Sequence, residues 1–473
     1  MSVARQFVKA SLVAAWATVG IAWLATAPRA DGPEELTLPA ANAAQPSQAK
    51  WVGVGGCAAA ACHGGEVEKP RGEYTTWISR DSHSRAYSVL FNETSLQMAR
   101  QLAGGDASRA LPPHEDRRCL ACHAPTGPDS ERSPQLVGDG VGCEACHGAA
   151  DKWASAHSTI DWKSLAPAEK ATKRKQLGMT DTRDVLVRTQ QCVRCHVGEG
   201  EADVTHDLIA AGHPRLSFEM GTFHDQMPKH WSHEAERSAD RAFEAKLWVV
   251  GQLTAAAAHF ELIAARAERG NRIEFANYDC YACHHELRAR GTRPQNTPGE
   301  THGALRLLTW YVPDKGLWDV LRDEDTKAIV ALESDRAALL ARFLADHLRG
   351  WALEQQLLRQ WGRDDIEEIL KKLAATPPEH ATWDQCTQWY LAIVATERAR
   401  LDHYDAPPLG AAAERDQHVQ LQLQAIKELL NFSAGDANHV LNSPRDFDPQ
   451  AFTDAAQRLS KLLQERKASG GNP

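Results

Sequence analysis

Cys119-Leu-Ala-Cys122-His123, Cys143-Glu-Ala-Cys146-His147, Cys192-Val-Arg-Cys195-His196 and Cys280-Tyr-Ala-Cys283-His284 share one spacing. In each, two cysteines are separated by two residues and a histidine follows directly. A wider variant, Cys57-Ala-Ala-Ala-Ala-Cys62-His63, precedes them, so that only Cys386 of the 11 cysteines is left over. Chance would give roughly 0.01 of the short strings in a chain of this composition, so the pattern reflects a function.

The spacing suits the covalent attachment of haem c. Two thiols about one turn apart reach the two vinyl groups on one edge of a porphyrin, and the next imidazole binds the iron. The sequence therefore predicts five haems, held by Cys57, Cys62, Cys119, Cys122, Cys143, Cys146, Cys192, Cys195, Cys280 and Cys283. The proximal iron ligands are then His63, His123, His147, His196 and His284.

The wider first motif fits less simply, because its four alanines must bulge to keep both sulfurs at the ring edge. A single thioether from Cys62, or no haem, is the alternative there. For the other motifs, zinc would need its histidines farther from the cysteine pair, and disulfides give no reason for a histidine after every pair. A thioredoxin-like pair would occur once, within a βαβ pattern that this chain lacks.

Histidines are concentrated in the same part of the chain as the motifs. Sixteen of the 21 lie between residues 63 and 302, and only five follow. Six-coordinate haems with two histidine ligands would produce this bias. The chain has only five methionines, so ligation by methionine is less well supported. The candidate second ligands are His83, His157, His213, His230 and His302, with His259 and His285 as further options. Each could instead be a surface histidine.

The order of motifs between Cys57 and His157 resembles the multihaem cytochromes of the cytochrome c-554 family, relatives of the electron acceptors of hydroxylamine oxidoreductase. The first motif is followed by Thr76-Trp77 and Asp81-Ser82-His83-Ser84-Arg85-Ala86. The second motif, Cys119 to His123, comes next, followed by the third motif within Gly140-Val-Gly-Cys143-Glu-Ala-Cys146-His147-Gly148 and by Trp153 leading to His157. The fourth motif, Cys192 to His196, extends the match.

The resemblance implies a ligand set and an electron-transfer function. It implies that His83 binds the iron of His147 and that His157 binds the iron of His63. The second haem of that family can lack a distal ligand, so the iron of His123 is the expected open position. The widened first motif, the added fifth motif and about 170 C-terminal residues depart from the family, and they leave the partner open.

The first 50 residues are expected to direct export. Arg5 and Lys9 precede an uncharged apolar stretch from Ala10 to Pro28, which predicts either a cleaved signal peptide or a retained membrane anchor, followed by a linker. Either alternative places the rest of the chain in the periplasm. A retained anchor would also attach it to the inner membrane. A net charge of −9 without a basic run argues against nucleic acid as a partner.

The rest of the chain is expected to be mainly α with very little β. Residues 51–302 form a loop-rich pentahaem region containing one long helix from Ala239 to Arg269. Residues 303–473 form a helical bundle, with one apolar face running from Leu339 to Trp351 and one helix capped at Asp448-Pro449. Cys386, near Trp383 and Trp389, is expected in the core.

The leading functional hypothesis is electron transfer to and from redox partner proteins, with no catalytic side chain. The alternative is a haem-based reductase of nitrite, nitric oxide or hydroxylamine at one open iron. A third possibility is that the C-terminal bundle docks the chain as a subunit of a respiratory complex.

Overall fold

The computed structural model describes residues 49–125, 133–269, 274–280, 283, 307–312, 337–357, 361–378, 382–404, 408–431 and 447–468. The export segment, His284 and His302 lie outside these residues. Within them the chain is helical, without strands and with only two isolated bridges, Glu199 to Ala202 and Tyr278 to Leu307. The predicted mainly α class is confirmed.

Short helices joined by turns carry the first four motifs and the segments between them. They are α1 (Glu73–Arg80), α2 (Glu93–Leu102), α3 (Arg117–His123), α4 (Pro134–Gly138), α5 (Cys143–His147), α6 (Ile160–Ser164), α7 (Pro167–Leu177), α8 (Val185–Val193), α9 (His206–Ala210), α10 (Met220–Gln226) and α11 (His233–Ala239).

Longer helices make up the remainder of the described chain. They are α12 (Phe243–Glu268), α13 (Ala337–Leu357), α14 (Arg363–Ala375), α15 (Trp383–Asp402), α16 (Ala411–Leu430) and α17 (Pro449–Ala468). The predicted helices at 239–269 and after Asp448 are confirmed. The first begins four residues late, because the Asp240 carboxylate accepts a hydrogen bond from the Ala242 N–H at 3.0 Å and holds a turn there.

Side-chain caps fix several helix starts. Asp184 accepts from the Val187 N–H ahead of α8, and Asp448 accepts from the Ala451 N–H ahead of α17. Thr382 and Gln385 form a reciprocal capping box at α15. These caps satisfy N–H groups that the helix itself leaves unpaired, so the sequence defines where each helix begins.

Helix α12 is the centre of the fold. Most of its residues are buried, and Leu247, Trp248, Val250, Leu253 and Phe260 are completely buried. It is also the one described helix long and apolar enough to cross a membrane, but its burial identifies it as a core helix. It packs against α8, α13 and α15, so the haem region and the C-terminal helices share one hydrophobic core.

That shared core crosses the expected boundary near residue 303. The core includes Val185 and Phe243 on one side of it, and Leu370, Ile426 and Phe452 on the other. Cys386 is buried in it at 1 % exposure, as predicted. The C-terminal helices therefore complete the core around α12.

A buried cluster of charges joins α15 to α16. Arg400 is 2 % exposed and its guanidinium contacts both Glu397 oxygens, at 2.8 and 3.0 Å, and Asp416 at 2.9 Å. Arg400 therefore supplies positive charge to two carboxylates that are held away from water.

Replacing Arg400 with leucine should lower the free energy of unfolding by about 3–5 kcal/mol, because two buried carboxylates lose their counterion. Arg398→Leu is the control, since the Arg398–Asp225 pair is about half exposed and should contribute no more than about 1 kcal/mol. Denaturant titrations followed by circular dichroism measure both. Equal losses for the two variants would contradict this account of the cluster.

Candidate haem sites

Local helix formation presents the short motifs. The second motif ends α3, the third is α5 itself, and the fourth spans the end of α8 and a wider turn at Arg194–Gly198. Cysteines three apart in such turns lie on one face of the backbone. The arrangement therefore offers both sulfurs to one edge of a planar group, with the histidine beside them.

The first motif reaches a similar result by a different route. Its alanines fold into a tight turn in which the Cys62 and Gly64 N–H groups both donate to the Ala59 carbonyl, at 2.8 and 3.0 Å. A Cβ on Gly64 would lie 2.0 Å from the Ala58 oxygen, so only glycine allows this closure. The turn is the bulge that the wider spacing requires.

Three pairs of histidine rings stand at one characteristic distance. The ring centroids are 6.1 Å apart for His63 and His157, 6.0 Å for His83 and His196, and 6.3 Å for His147 and His230. Two imidazoles on opposite sides of one metal, with metal–nitrogen bonds of about 2.0 Å, have centroids about 6 Å apart. Each pair thus leaves the space that one haem iron needs.

Hydrogen bonds at Nδ1 orient three of these six rings, and also the ring of His123. His63 Nδ1 donates to Glu73 Oε2 and His83 Nδ1 donates to Asp81 Oδ1, both at 2.9 Å. Main-chain carbonyls accept in two other cases. His157 Nδ1 donates to the Trp153 carbonyl at 3.1 Å, and His123 Nδ1 donates to the Ala86 carbonyl at 2.7 Å. Because Nδ1 carries the proton, Nε2 is free to bind a metal.

The electrostatic surroundings favour neutral imidazoles at two proximal positions. Burial lowers the pKa of His147 to about 4, helped by the neighbouring His230, and burial lowers the pKa of His196 to about 4 as well. Only a neutral imidazole binds iron. These rings are therefore in the required protonation state at any physiological pH.

The motifs are neighbours in a different order from their order in the chain. The Cys57 thiol hydrogen-bonds that of Cys143, which lowers the pKa of Cys57 to about 7. The Cys122 thiol makes the same contact with that of Cys195, and Cys146 interacts electrostatically with Cys195. The spatial order is therefore first, third, fourth, second.

Buried groups fasten the first and third motifs to each other. The Glu144 carboxylate, inside the third motif, accepts from the N–H groups of Val52, Gly53 and Ala150 at 2.7–3.1 Å. The Trp77 indole donates to the Val141 carbonyl at 3.1 Å. These bonds explain why Glu144 and Trp77 occur near the motifs, since each holds two segments of main chain together.

A glycine brings His83 close to the third motif. Gly140 has φ +65°, and a Cβ there would lie 3.0 Å from the His83 carbonyl oxygen, which accepts from the Val141 N–H at 3.2 Å. A side chain at residue 140 would therefore push the two segments apart.

The structure brings His83 together with His196, whereas the family resemblance pairs it with the iron of His147. The ring facing His147 is that of His230. The third and fourth motifs lie side by side, so a small change in the direction of the Asp81–Arg85 turn decides which motif His83 faces. The direction of that turn cannot be predicted from the order of the motifs in the sequence.

His123 and the fifth motif differ from the three pairs. Within the described residues, no ring contact of this kind involves His123, although His213 is near enough for their charges to interact. His213 donates its Nδ1 proton to the Pro214 carbonyl at 2.7 Å. In the fifth motif Cys280 is half-buried and Cys283 is exposed, whereas His284 and its candidate partner His302 lie outside the described residues.

A family profile for cytochrome c554 and c-prime matches residues 57–148 and 149–211. Residues 57–211 are therefore similar to the cytochrome c554 family. The match covers about a third of the chain and includes the first four motifs, His83 and His157. The chain is thus a c-type cytochrome that binds haem, of a class typically found in the periplasm or outside the cell.

Curated proteins and solved structures provide no significant match to this chain. The fifth motif and the C-terminal helices therefore stand outside the cytochrome c554 match, and their roles must be argued from this structure.

The sequence did not predict the carboxylates that accept hydrogen bonds from the histidine Nδ1 atoms. Glu73 lies ten residues after His63, and Asp81 two residues before His83, and neither spacing marks a metal site by itself. A carboxylate within an amphipathic stretch of a short helix has many other uses. The ring positions were needed to identify them.

Removing a distal histidine should convert one haem from low spin to high spin. We expect His157→Ala and His230→Ala each to remove one low-spin electron paramagnetic resonance signal and to add a high-spin one, because one axial position opens. His403→Ala is the matched control, since its Nδ1 also donates to a carbonyl, that of Ala399 at 2.8 Å. An unchanged spectrum in both variants would contradict the ring pairs as ligands.

Neutralising the carboxylates behind His63 and His83 should raise the midpoint potentials of their haems. Glu73→Gln and Asp81→Asn keep a hydrogen-bond acceptor but remove the negative charge that stabilises the oxidised iron. Glu93→Gln, which alters an exposed pair with Arg100, should leave every potential unchanged. Spectroelectrochemical titration measures these values, and a downward shift in either variant would reject the assignment.

Proposed function

We propose that this chain is an exported pentahaem cytochrome that transfers electrons, with histidines on both sides of most of its irons. The observation that carries the proposal is the set of three histidine pairs with centroids 6.0–6.3 Å apart. These pairs support His157 as the second ligand of the iron held by His63, His83 as that of the iron held by His196, and His230 as that of the iron held by His147.

Each bound haem supplies an iron that gains or loses one electron. The protein's residues determine where those irons lie and how easily each is reduced. Contacts between cysteines of different motifs support a continuous series of neighbouring sites from the first motif, through the third and fourth, to the second. No side chain has to change its covalent structure for this function.

The differences in hydrogen bonding support a gradient of potential along the series. Carboxylates accept the Nδ1 hydrogen bonds of His63 and His83, whereas a main-chain carbonyl accepts that of His123. Negative charge behind a ligand favours the oxidised iron, so the His123 site at one end should have a higher potential than the His63 site at the other. Electrons would then run from the first motif toward the second.

The fifth haem, with His284 as proximal ligand and His302 as candidate distal ligand, belongs to this proposal, as does the haem of the widened first motif. So does the location in the periplasm, either after signal cleavage or on an uncleaved anchor in the inner membrane. Redox partner proteins, in one version within a respiratory complex, would deliver and accept the electrons.

A second function, reduction of nitrite, nitric oxide or hydroxylamine, is favoured by one observation. His123 lacks a ring partner of the kind that His63, His147 and His196 have among the described residues. An iron held there from one side could bind a small nitrogen compound at its sixth position.

Two measurements on the purified, exported protein test these functions. Intact-mass analysis should show five haems added to the polypeptide, and a lower number or an unmodified mass would contradict the pentahaem proposal. Electron paramagnetic resonance of the oxidised protein should show low-spin signals from the three histidine pairs. A high-spin signal that shifts with nitric oxide and changes in a His123→Ala variant, together with consumption of nitrite, nitric oxide or hydroxylamine by the reduced protein, would establish the second function. An entirely low-spin spectrum would exclude it.

A further inference from the structure

A buried ion pair joins the haem region to the start of α15. Arg215 donates from two nitrogens to the two oxygens of Asp384, at 2.9 and 2.5 Å. The Asp384 side chain is fully buried and that of Arg215 is 11 % exposed. A bidentate pair of this kind has a fixed geometry, and removal of one partner leaves the other as an uncompensated charge.

The same guanidinium lies against the fifth motif. Arg215 Nη1 is 4.0 Å from the Cys280 sulfur, and the guanidinium carbon lies 5.9 Å from the centre of the Trp310 ring. Asp279, next to Cys280, is also buried. A charge pair with one partner from each part of the chain is therefore placed beside the predicted attachment point of the fifth haem.

Hydrogen bonds hold the surrounding segments in place. The Trp310 indole donates to the Phe218 carbonyl at 2.8 Å, and the Tyr311 hydroxyl donates to the Leu216 carbonyl at 3.1 Å. Gln388, one turn after Asp384 on α15, donates to the Trp310 carbonyl at 3.0 Å. The pair is thus embedded in a network that limits rearrangement when a charge is removed.

A fixed charge beside a haem changes its potential in a direction set by the sign of the charge. The oxidised haem carries one more positive charge than the reduced haem, so a nearby cation favours reduction and a nearby anion favours oxidation. Burial strengthens both effects because the low dielectric screens them little. Arg215 and Asp384 consequently act in opposite directions on the same site.

We propose that Arg215 and Asp384 form a charge pair that sets the reduction potential of the fifth haem, attached through Cys280 and Cys283. The C-terminal helices then contribute directly to electron transfer, since one of them supplies half of the pair. This inference rests on the proposed presence of a haem at the fifth motif.

Single substitutions that remove one charge test the proposal. In spectroelectrochemical titrations of the full-length protein, Asp384→Asn should shift one midpoint potential upward and Arg215→Gln should shift the same one downward. A Cys280→Ala, Cys283→Ala variant identifies that component, because the component disappears. Shifts in the same direction, or no shift, would overturn the proposal.

The control removes a similar pair from the other end of the same helix. Asp402, at the end of α15, pairs with Arg237 of the haem region, and its side chain is 18 % exposed. Asp402→Asn should leave the fifth potential unchanged, because Asp402 and Asp384 lie at opposite ends of α15. A shift equal to that of Asp384→Asn would show a general effect of loosening α15 and would overturn the proposal.

A variant without either charge separates electrostatics from folding. Arg215→Met combined with Asp384→Leu removes both charges of the pair, and replacement of a buried ion pair by apolar residues commonly preserves stability. Its fifth potential should lie between those of the two single variants. A value outside that interval would overturn the charge-pair account. The intact mass of the Cys280→Ala, Cys283→Ala variant distinguishes the underlying failure. If this variant carries as many haems as the wild-type protein, the fifth haem itself is rejected. If it carries one haem fewer and the single-charge variants lack opposite shifts, only the charge pair is rejected.

Discussion

The pairing of imidazole rings with centroids about 6 Å apart organises the first half of this protein. One imidazole of each pair directly follows a cysteine pair in the sequence, and the other comes from a different segment. His157, His83 and His230 lie in turns and loops rather than in long helices. The chain between motifs therefore has to return at defined points, which explains why so many short helices and caps are found there.

The sequence was sufficient to predict the mainly α class, the long central helix and the chemistry of the motifs. Those features depend on local spacing and periodicity, which the residues display directly. The partner of His83 could not be obtained this way, because it depends on how the third and fourth motifs pack side by side. Glu73 and Asp81 were missed for the same reason, since a carboxylate acquires its role only from the ring that it faces.

The C-terminal helices also have a structural role that their sequence does not predict. As isolated helices they present apolar faces and no chemistry. In the structure they cover α12, share its hydrophobic core, and place Asp384 against Arg215. The division of the chain near residue 303 is therefore a change in composition that the packing does not follow.

The crossed arrangement of the motifs bears on how the protein is made. Since the first site touches the third and the second touches the fourth, a growing chain that has been exported only as far as residue 140 holds two motifs that are not neighbours. The third motif then adds a contact to the first, and the fourth adds contacts to the third and the second. The conducting series is thus assembled late and almost at once, when the fourth motif emerges.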